Sequence, residues 1–200
     1  MATEYNETKL DALRELANIG AGTAATALSQ MLGQEVTLNV SRALVLPLAD
    51  AVAAAGDPEQ VVTGVAIPLE GDLEAVVLLL IPISDAETLC ELLGVEAGTE
   101  VGDSALAEIG NILGASYMNA LAGMTGLSLL LCPPQLVTDL LAAIVASLLA
   151  HAAGKTDAAL VLDTRFGLAD RPCGVSFLLI PTHGSVTSLL APLGLAELES

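Results

Sequence analysis

The chain has 200 residues, 54% of them hydrophobic and a further 18 glycine, above the roughly 45–50% that apolar residues and glycine together reach in soluble domains. Six Lys and Arg stand against 24 Asp and Glu, a formal charge of −18, which argues against nucleic acid and anionic lipid as partners and repels free phosphorylated metabolites. Any phosphate handled here is expected to arrive on a protein that carries its own cations.

The opening "MATEYNETKLDALRELAN" places acids within its first residues and lacks an unbroken apolar run, so it does not read as a secretory signal and the expected location is cytoplasmic. Apolar spacing predicts a helix over 7–32, with Asp11, Glu15, Asn18 and Gly22 on one narrow stripe. Leu13, Leu16, Gly20, Ala24, Ala27 and Met31 lie on the opposite face. A strand over 35–47 follows, then a connection through "AGDPEQ", a hairpin of strands near 60–69 and 74–82, and a helix over 84–94. After the polar linker "AGTEVGD" the expected elements are a helix over 104–122, a strand near 126–132 and a helix over 135–152. A hairpin near 157–166 and 174–181 and a helix over 185–193 complete the chain. Helices alternating with antiparallel hairpins predict an α+β class, mixed α/β layers with helices packed on a mainly antiparallel sheet. Residues 109–138 carry no charge, but Asn111, Asn119, several glycines and Pro133-Pro134 interrupt them, and no membrane span is expected.

The two halves resemble each other. At a shift of 93, "DALRELANIGAGTAATALSQMLG" (11–33) aligns with "SALAEIGNILGASYMNALAGMTG" (104–126), with nine of 23 positions identical. The pairs include Glu15/Glu108, Asn18/Asn111 and Ile19/Ile112. Later, "VVLLLIPISDAETLCELLG" resembles "VSFLLIPTHGSVTSLLAPLG". A long unit present only twice predicts one pseudo-two-fold domain over 1–200, built from halves of about 1–100 and 101–200, and argues against a solenoid.

Cys90, Cys132 and Cys173 are odd in number and widely spaced, which argues against a disulfide framework and against a zinc knuckle. His151 and His183 show no ligand spacing, so no metal is assigned. No G-x-S-x-G elbow appears, which disfavours a hydrolase with its own nucleophile.

A glutamate followed three residues later by an asparagine, twice, narrows the chemistry. The amide of asparagine has no useful acid or base strength but can orient water, and glutamate can pair with a lysine brought by a partner. Phosphoryl transfer suits such equipment, because its catalysis is mostly positioning and charge stabilisation. The pattern Asp/Ser-x-x-x-Glu-x-x-Asn, then twenty-two residues and a proline, resembles the signature of the CheC, CheX and FliY phosphatases, which act on the phosphorylated chemotaxis response regulator CheY. The second copy matches fully with Ser104, Glu108, Asn111 and Pro134; the first has Asp11, Glu15 and Asn18, but Ser41 stands where the proline would be. Two motifs and the stretches "ANIGAGTAATALSQMLGQEV" and "LEGD" look most like the CheC type, over essentially the whole chain.

The resemblance implies a protein phosphatase in which Asn18 or Asn111 places the hydrolytic water on an aspartyl phosphate, while Glu15 or Glu108 docks on the receiver's lysine. It implies Mg2+ held by the receiver, no cofactor held by this chain, and the receptor deamidase CheD as a second partner. The alternative is a non-catalytic adaptor that binds phosphorylated CheY or CheD. Because proline restricts its own φ and its predecessor, its loss at Ser41 is expected to relax the backbone under the first motif. The second site is therefore expected to be the stronger.

Overall fold

The computed structural model describes residues 7–151, 158–168 and 171–182. In chain order the elements are α1 (Glu7–Leu32), β1 (Val36–Pro47), α2 (Leu48–Ala55), β2 (Val61–Gly71), β3 (Ala75–Pro82) and α3 (Ile83–Leu92). Then come α4 (Glu100–Thr125), β4 (Leu129–Leu131), β5 (Gln135–Leu140), α5 (Leu141–His151), β6 (Ala158–Leu168) and β7 (Arg171–Pro181). The strands form one sheet in the order β1-β6-β7-β3-β2, with β4 and β5 end to end along the outer edge of β2. Among the described residues every pairing is antiparallel and five helices pack on the sheet, so the fold is α+β.

Helices cover both faces of the sheet. Leu13, Leu16, Leu28, Leu89, Leu106, Ile109 and Leu113, from α1, α3 and α4, bury themselves against Val65, Ile67, Val77, Leu79 and Phe177 on one face. Ala51 of α2 and Leu141, Ile144 and Val145 of α5 pack on Leu78, Leu80, Val161 and Leu178 on the other. This double coverage explains why β3, "AVVLLLIP", is an unbroken apolar run where an antiparallel strand with one wet face would alternate.

The shift of 93 relates elements as well as residues. The 26-residue helices α1 and α4 begin at Glu7 and Glu100, and β1 over Val36–Pro47 corresponds to Leu129–Leu140, the whole span of β4 and β5. The outer strand of each half pairs with the hairpin of the other half: β1 with β6, and β4 and β5 with β2.

Several elements differ from expectation. The helix expected over 135–152 begins only at Leu141; residues 135–140 are strand β5, because the open edge of β2 from Val61 to Ala66 offers them a ladder. Helix α2 occupies the region read as a plain connection. Helix α4 extends beyond 104–122 at both ends, because the Thr99 hydroxyl accepts from the Gly102 N–H and caps its start. The helix expected over 185–193 lies outside the described residues.

Tyr117 joins the layers. Its ring stands edge-on to Phe177 of β7 with centroids 5.0 Å apart, and its hydroxyl lies 2.8 Å from Thr164 Oγ1 of β6. Burial pushes the phenol up to about 12, with the Thr164 hydrogen bond acting in the opposite direction. The folded state therefore holds this proton more tightly than the unfolded chain, whose value is about 10. The resulting stability is whole below that value and is lost as pH rises through about 12, a change on the order of 2–3 kcal/mol. Tyr117→Phe is expected to flatten the alkaline loss of stability in this window, as read from denaturant midpoints at successive pH values; an unchanged slope would remove Tyr117 as its source.

Candidate functional site

Helices α1 and α4 lie side by side on one face of the sheet. Gly20 sets how closely they approach: a Cβ there would stand 2.7 Å from the Tyr117 ring and 2.9 Å from the Ser116 carbonyl. Gly110 does the same for α4 against the sheet, since a Cβ would meet Val65 Cγ1 at 2.7 Å. Buried Leu13, Leu16, Ala24 and Leu28 fix the rotation of α1, and Leu106, Ile109 and Leu113 fix that of α4. The 3.6-residue period then sends the motif residues to the opposite face. Asp11, Glu15, Ser104 and Glu108 are exposed; Asn18 and Asn111 are half-buried one turn further along.

The two motif copies differ in what they touch. In the first, Asp11 pairs with Arg14 on the surface at 3.2 Å. Asn18 turns toward the outer strand: its Oδ1 accepts from the Val40 N–H at 2.9 Å, and its Nδ2 reaches the Val40 carbonyl at 3.5 Å. In the second copy Asn111 has no hydrogen-bond partner among the described residues. Among the described residues no buried side-chain nitrogen or oxygen is left without a partner, so the unpartnered amide of Asn111 reaches solvent. Glu108 likewise makes no ion pair among the described residues.

The position twenty-three residues after each asparagine falls where the pairing of the outer strand is interrupted. Val40 pairs with Thr164 and Arg42 with Asp163, leaving Ser41 over. In the second half Leu131 pairs with Leu69 and the Cys132 N–H donates to the Pro68 carbonyl. Pairing resumes at Gln135 opposite Ala66, so Cys132, Pro133 and Pro134 span only Ile67 and Pro68. Proline is tolerated on outer strands and at bulges because no ladder bond is asked of its nitrogen. The bulge at Ser41 forms without proline, its hydroxyl donating to the Asp163 carbonyl at 3.3 Å. Besides the missing proline, the two copies differ in the bond from Val40 to Asn18. Sequence reasoning missed Val40 and its counterpart Pro133. Continuing the shift of 93 from residue 126 to residue 133 would have set the two side by side.

Asn18→Ala is expected to cost about 1–2 kcal/mol of stability by stranding the Val40 N–H, seen as a lower midpoint in urea. Asn111→Ala, which strands nothing, is expected to leave the midpoint in place.

The surroundings limit the chemistry. Along α1 the motif continues into a shallow groove lined by Ile19, Gly22, Thr23, Thr26, Ala27 and Gln30. Gly22 is open, with nothing within 4 Å of a Cβ, and Ile19 is 61% exposed. On the other face of the sheet Arg42, Asp163, Arg165 and Ser176 line a cleft of about 400 Å³, in which Arg42 Nε donates to Asp163 at 2.6 Å. Cys90 and Cys173 are buried and Cys132 is half-buried. Burial, and then the Asp103 carboxylate, push the Cys90 thiol up, away from the reactive thiolate. Among the described residues no three His, Cys, Asp or Glu converge as a metal site, and no helix is long and apolar enough to cross a membrane.

Residues 9–40 and 101–138, the two motif helices with their outer strands, match the model of the CheC-like family. The chain is 30% identical over 198 residues to the CheY-P phosphatase CheC of Bacillus subtilis, covering 94% of this chain and 95% of that protein. It is 29% identical over 143 residues to the putative CheY-P phosphatase CheC1 of Halobacterium salinarum, covering 68% and 72% of the two chains. The crystal structure of FliY from Thermotoga maritima superposes with a TM-score of 0.73 at 16% identity, covering 98% of this chain and all of that one. A chain of the FliG–FliM complex from H. pylori gives 0.69 at 11% identity, with 93% and 99% covered; these two similarities concern the fold alone. With a relative 30% identical along nearly its whole length, the chain belongs to the CheC-like family.

Proposed function

We propose that this protein is a cytoplasmic phosphatase that hydrolyses the aspartyl phosphate of CheY, working chiefly through Glu108 and Asn111. The observation that carries this reading is the amide of Asn111, solvent-reaching and unpartnered, one turn beyond exposed Glu108 on a rigid helix. The names of the relatives from Bacillus subtilis and Halobacterium salinarum support the substrate. Asn111 orients a water in line with phosphorus; the bond from phosphorus to the aspartyl oxygen breaks, the receiver recovers its carboxylate, and inorganic phosphate leaves with the oxygen of the water. Glu108 pairs with a lysine of the receiver, and a Mg2+ held by the receiver offsets the charge on the phosphoryl group. A chain of charge −18 has few cations of its own for that task. Ser104 and Pro134 frame this copy, while Asp11, Glu15 and Asn18 form the weaker one. CheD is the second partner that family membership suggests, and the chain as a whole acts as one duplicated domain.

The second reading, an adaptor that binds phosphorylated CheY without hydrolysing it, is favoured for the first copy alone, because Asn18 is tied to Val40. Phosphate release from phosphorylated CheY, with the chain at about a tenth of the receiver concentration, separates the two. The expected result is several phosphates released per chain; binding without accelerated release would make the whole protein an adaptor.

A further inference from the structure

Resting on the phosphatase reading, we infer that the residue twenty-two positions after each motif asparagine, Val40 in the first half and Pro133 in the second, decides whether the motif asparagine of that half is free to position water. The two are 93 residues apart, the same shift that relates Asn18 to Asn111. Val40 immediately precedes Ser41, the residue left over in the pairing of β1 with β6, and Pro133 lies in the break between β4 and β5.

The difference between them is one N–H. That of Val40 donates to Asn18 Oδ1 at 2.9 Å while the same peptide's carbonyl lies 3.5 Å from Asn18 Nδ2, so both ends of the amide are held against the strand. Proline has no N–H, so Pro133 cannot repeat the first of these bonds, and Asn111 has no partner among the described residues. Among the described residues strand β1 has a neighbour on one side only, β6, and the Val40 N–H serves Asn18. A proline at position 40 would therefore remove the latch, at a place on an outer strand where proline is tolerated. The preceding Asn39 is already in extended strand, as proline requires of its predecessor. Residues 40 and 133 are thus positioning residues: they touch no substrate and act through the asparagine.

The latch itself is tested without any activity by amide hydrogen exchange. The Val40 N–H is expected to be protected in the wild-type chain and to exchange about three- to tenfold faster in Asn18→Ala, the factor a net hydrogen bond is worth; equal exchange in the two would overturn the inference. The consequence for catalysis is read on phosphorylated CheY in the Asn111→Ala background. There Val40→Pro is expected to raise turnover about three- to tenfold, and adding Asn18→Ala is expected to remove the gain. A folded Val40→Pro chain with no gain would overturn the inference. The reciprocal variant, Pro133→Val in the otherwise native chain, does not depend on Val40→Pro folding. It is expected to lower kcat by a similar factor with little change in KM and with new protection of the residue 133 N–H, and unchanged turnover would count against the inference. If the native chain released no phosphate at all, the phosphatase reading would fall, while exchange at residue 40 would still decide whether the latch exists.

Discussion

Replacing Asn111 by alanine is expected to lower kcat of the second site on phosphorylated CheY by about 100-fold or more, leaving the chain with the turnover of the latched first site, while receiver binding and stability stay near the native values. The magnitude follows from what the side chain is asked to do. Removing a single preorganised hydrogen-bonding group from a charge-developing transition state typically costs about 100- to 1000-fold, and water alignment is the main contribution left to a phosphatase whose partner supplies the metal and the lysine. Stability is spared because Asn111 has no partner among the described residues to strand. Binding is spared because Glu108 and the exposed helix face remain. A fall in affinity with kcat intact would move Asn111 from catalysis to docking.

Gly20→Val is expected to be the most damaging substitution to the fold near the site. The new Cβ would lie 2.7 Å from the Tyr117 ring, 2.9 Å from the Ser116 carbonyl oxygen and 3.0 Å from the Tyr117 Cα. Two of those three atoms are backbone of α4, so no rotamer change relieves the contact. Overpacking of this kind costs about 1–3 kcal/mol, and the second branch of valine adds to it. Moving α1 off α4 also displaces Asn18 from Val40 of the outer strand. Gly22→Ala, one residue before the next turn, is expected to act with the opposite sign. Nothing lies within 4 Å of its Cβ, so replacing a helical glycine there stabilises by about 0.5–1 kcal/mol. Urea midpoints that moved in the same direction for the two variants would contradict this account of the packing between α1 and α4.

The helices that carry the motifs are legible in the sequence because their apolar spacing persists over seven turns and the duplication repeats it. Leu13, Leu16 and Leu28 are buried on the face that period assigns to the core, and Glu15 is exposed on the other. What escapes is whatever depends on a distant partner. "QLVTDLLAAIVASLLAH" reads as one amphipathic helix, and only the open edge of β2, more than sixty residues away, draws its first six residues into a strand. "LADAVAAA" carries no cap side chain and buries a single alanine fully, Ala51, so local pattern is nearly silent about α2. The fate of Asn18 is of the same kind. Periodicity sets it beside Glu15 on the solvent stripe, whereas a backbone donor 22 residues on takes hold of its amide.

The inequality of the two copies is the claim on which the rest turns, and one measurement reaches it directly. Decay of phosphorylated CheY is followed with Mg2+ present and the protein at about a tenth of the receiver concentration, using the native chain, Asn18→Ala and Asn111→Ala side by side. The latch at Val40 and the free amide at Asn111 predict that Asn18→Ala retains most of the native turnover and exceeds Asn111→Ala by about three- to tenfold, a gap of about 0.7–1.4 kcal/mol in transition-state stabilisation. Equal losses in the two variants would contradict it, and would mean that Asn18 leaves Val40 whenever a receiver docks.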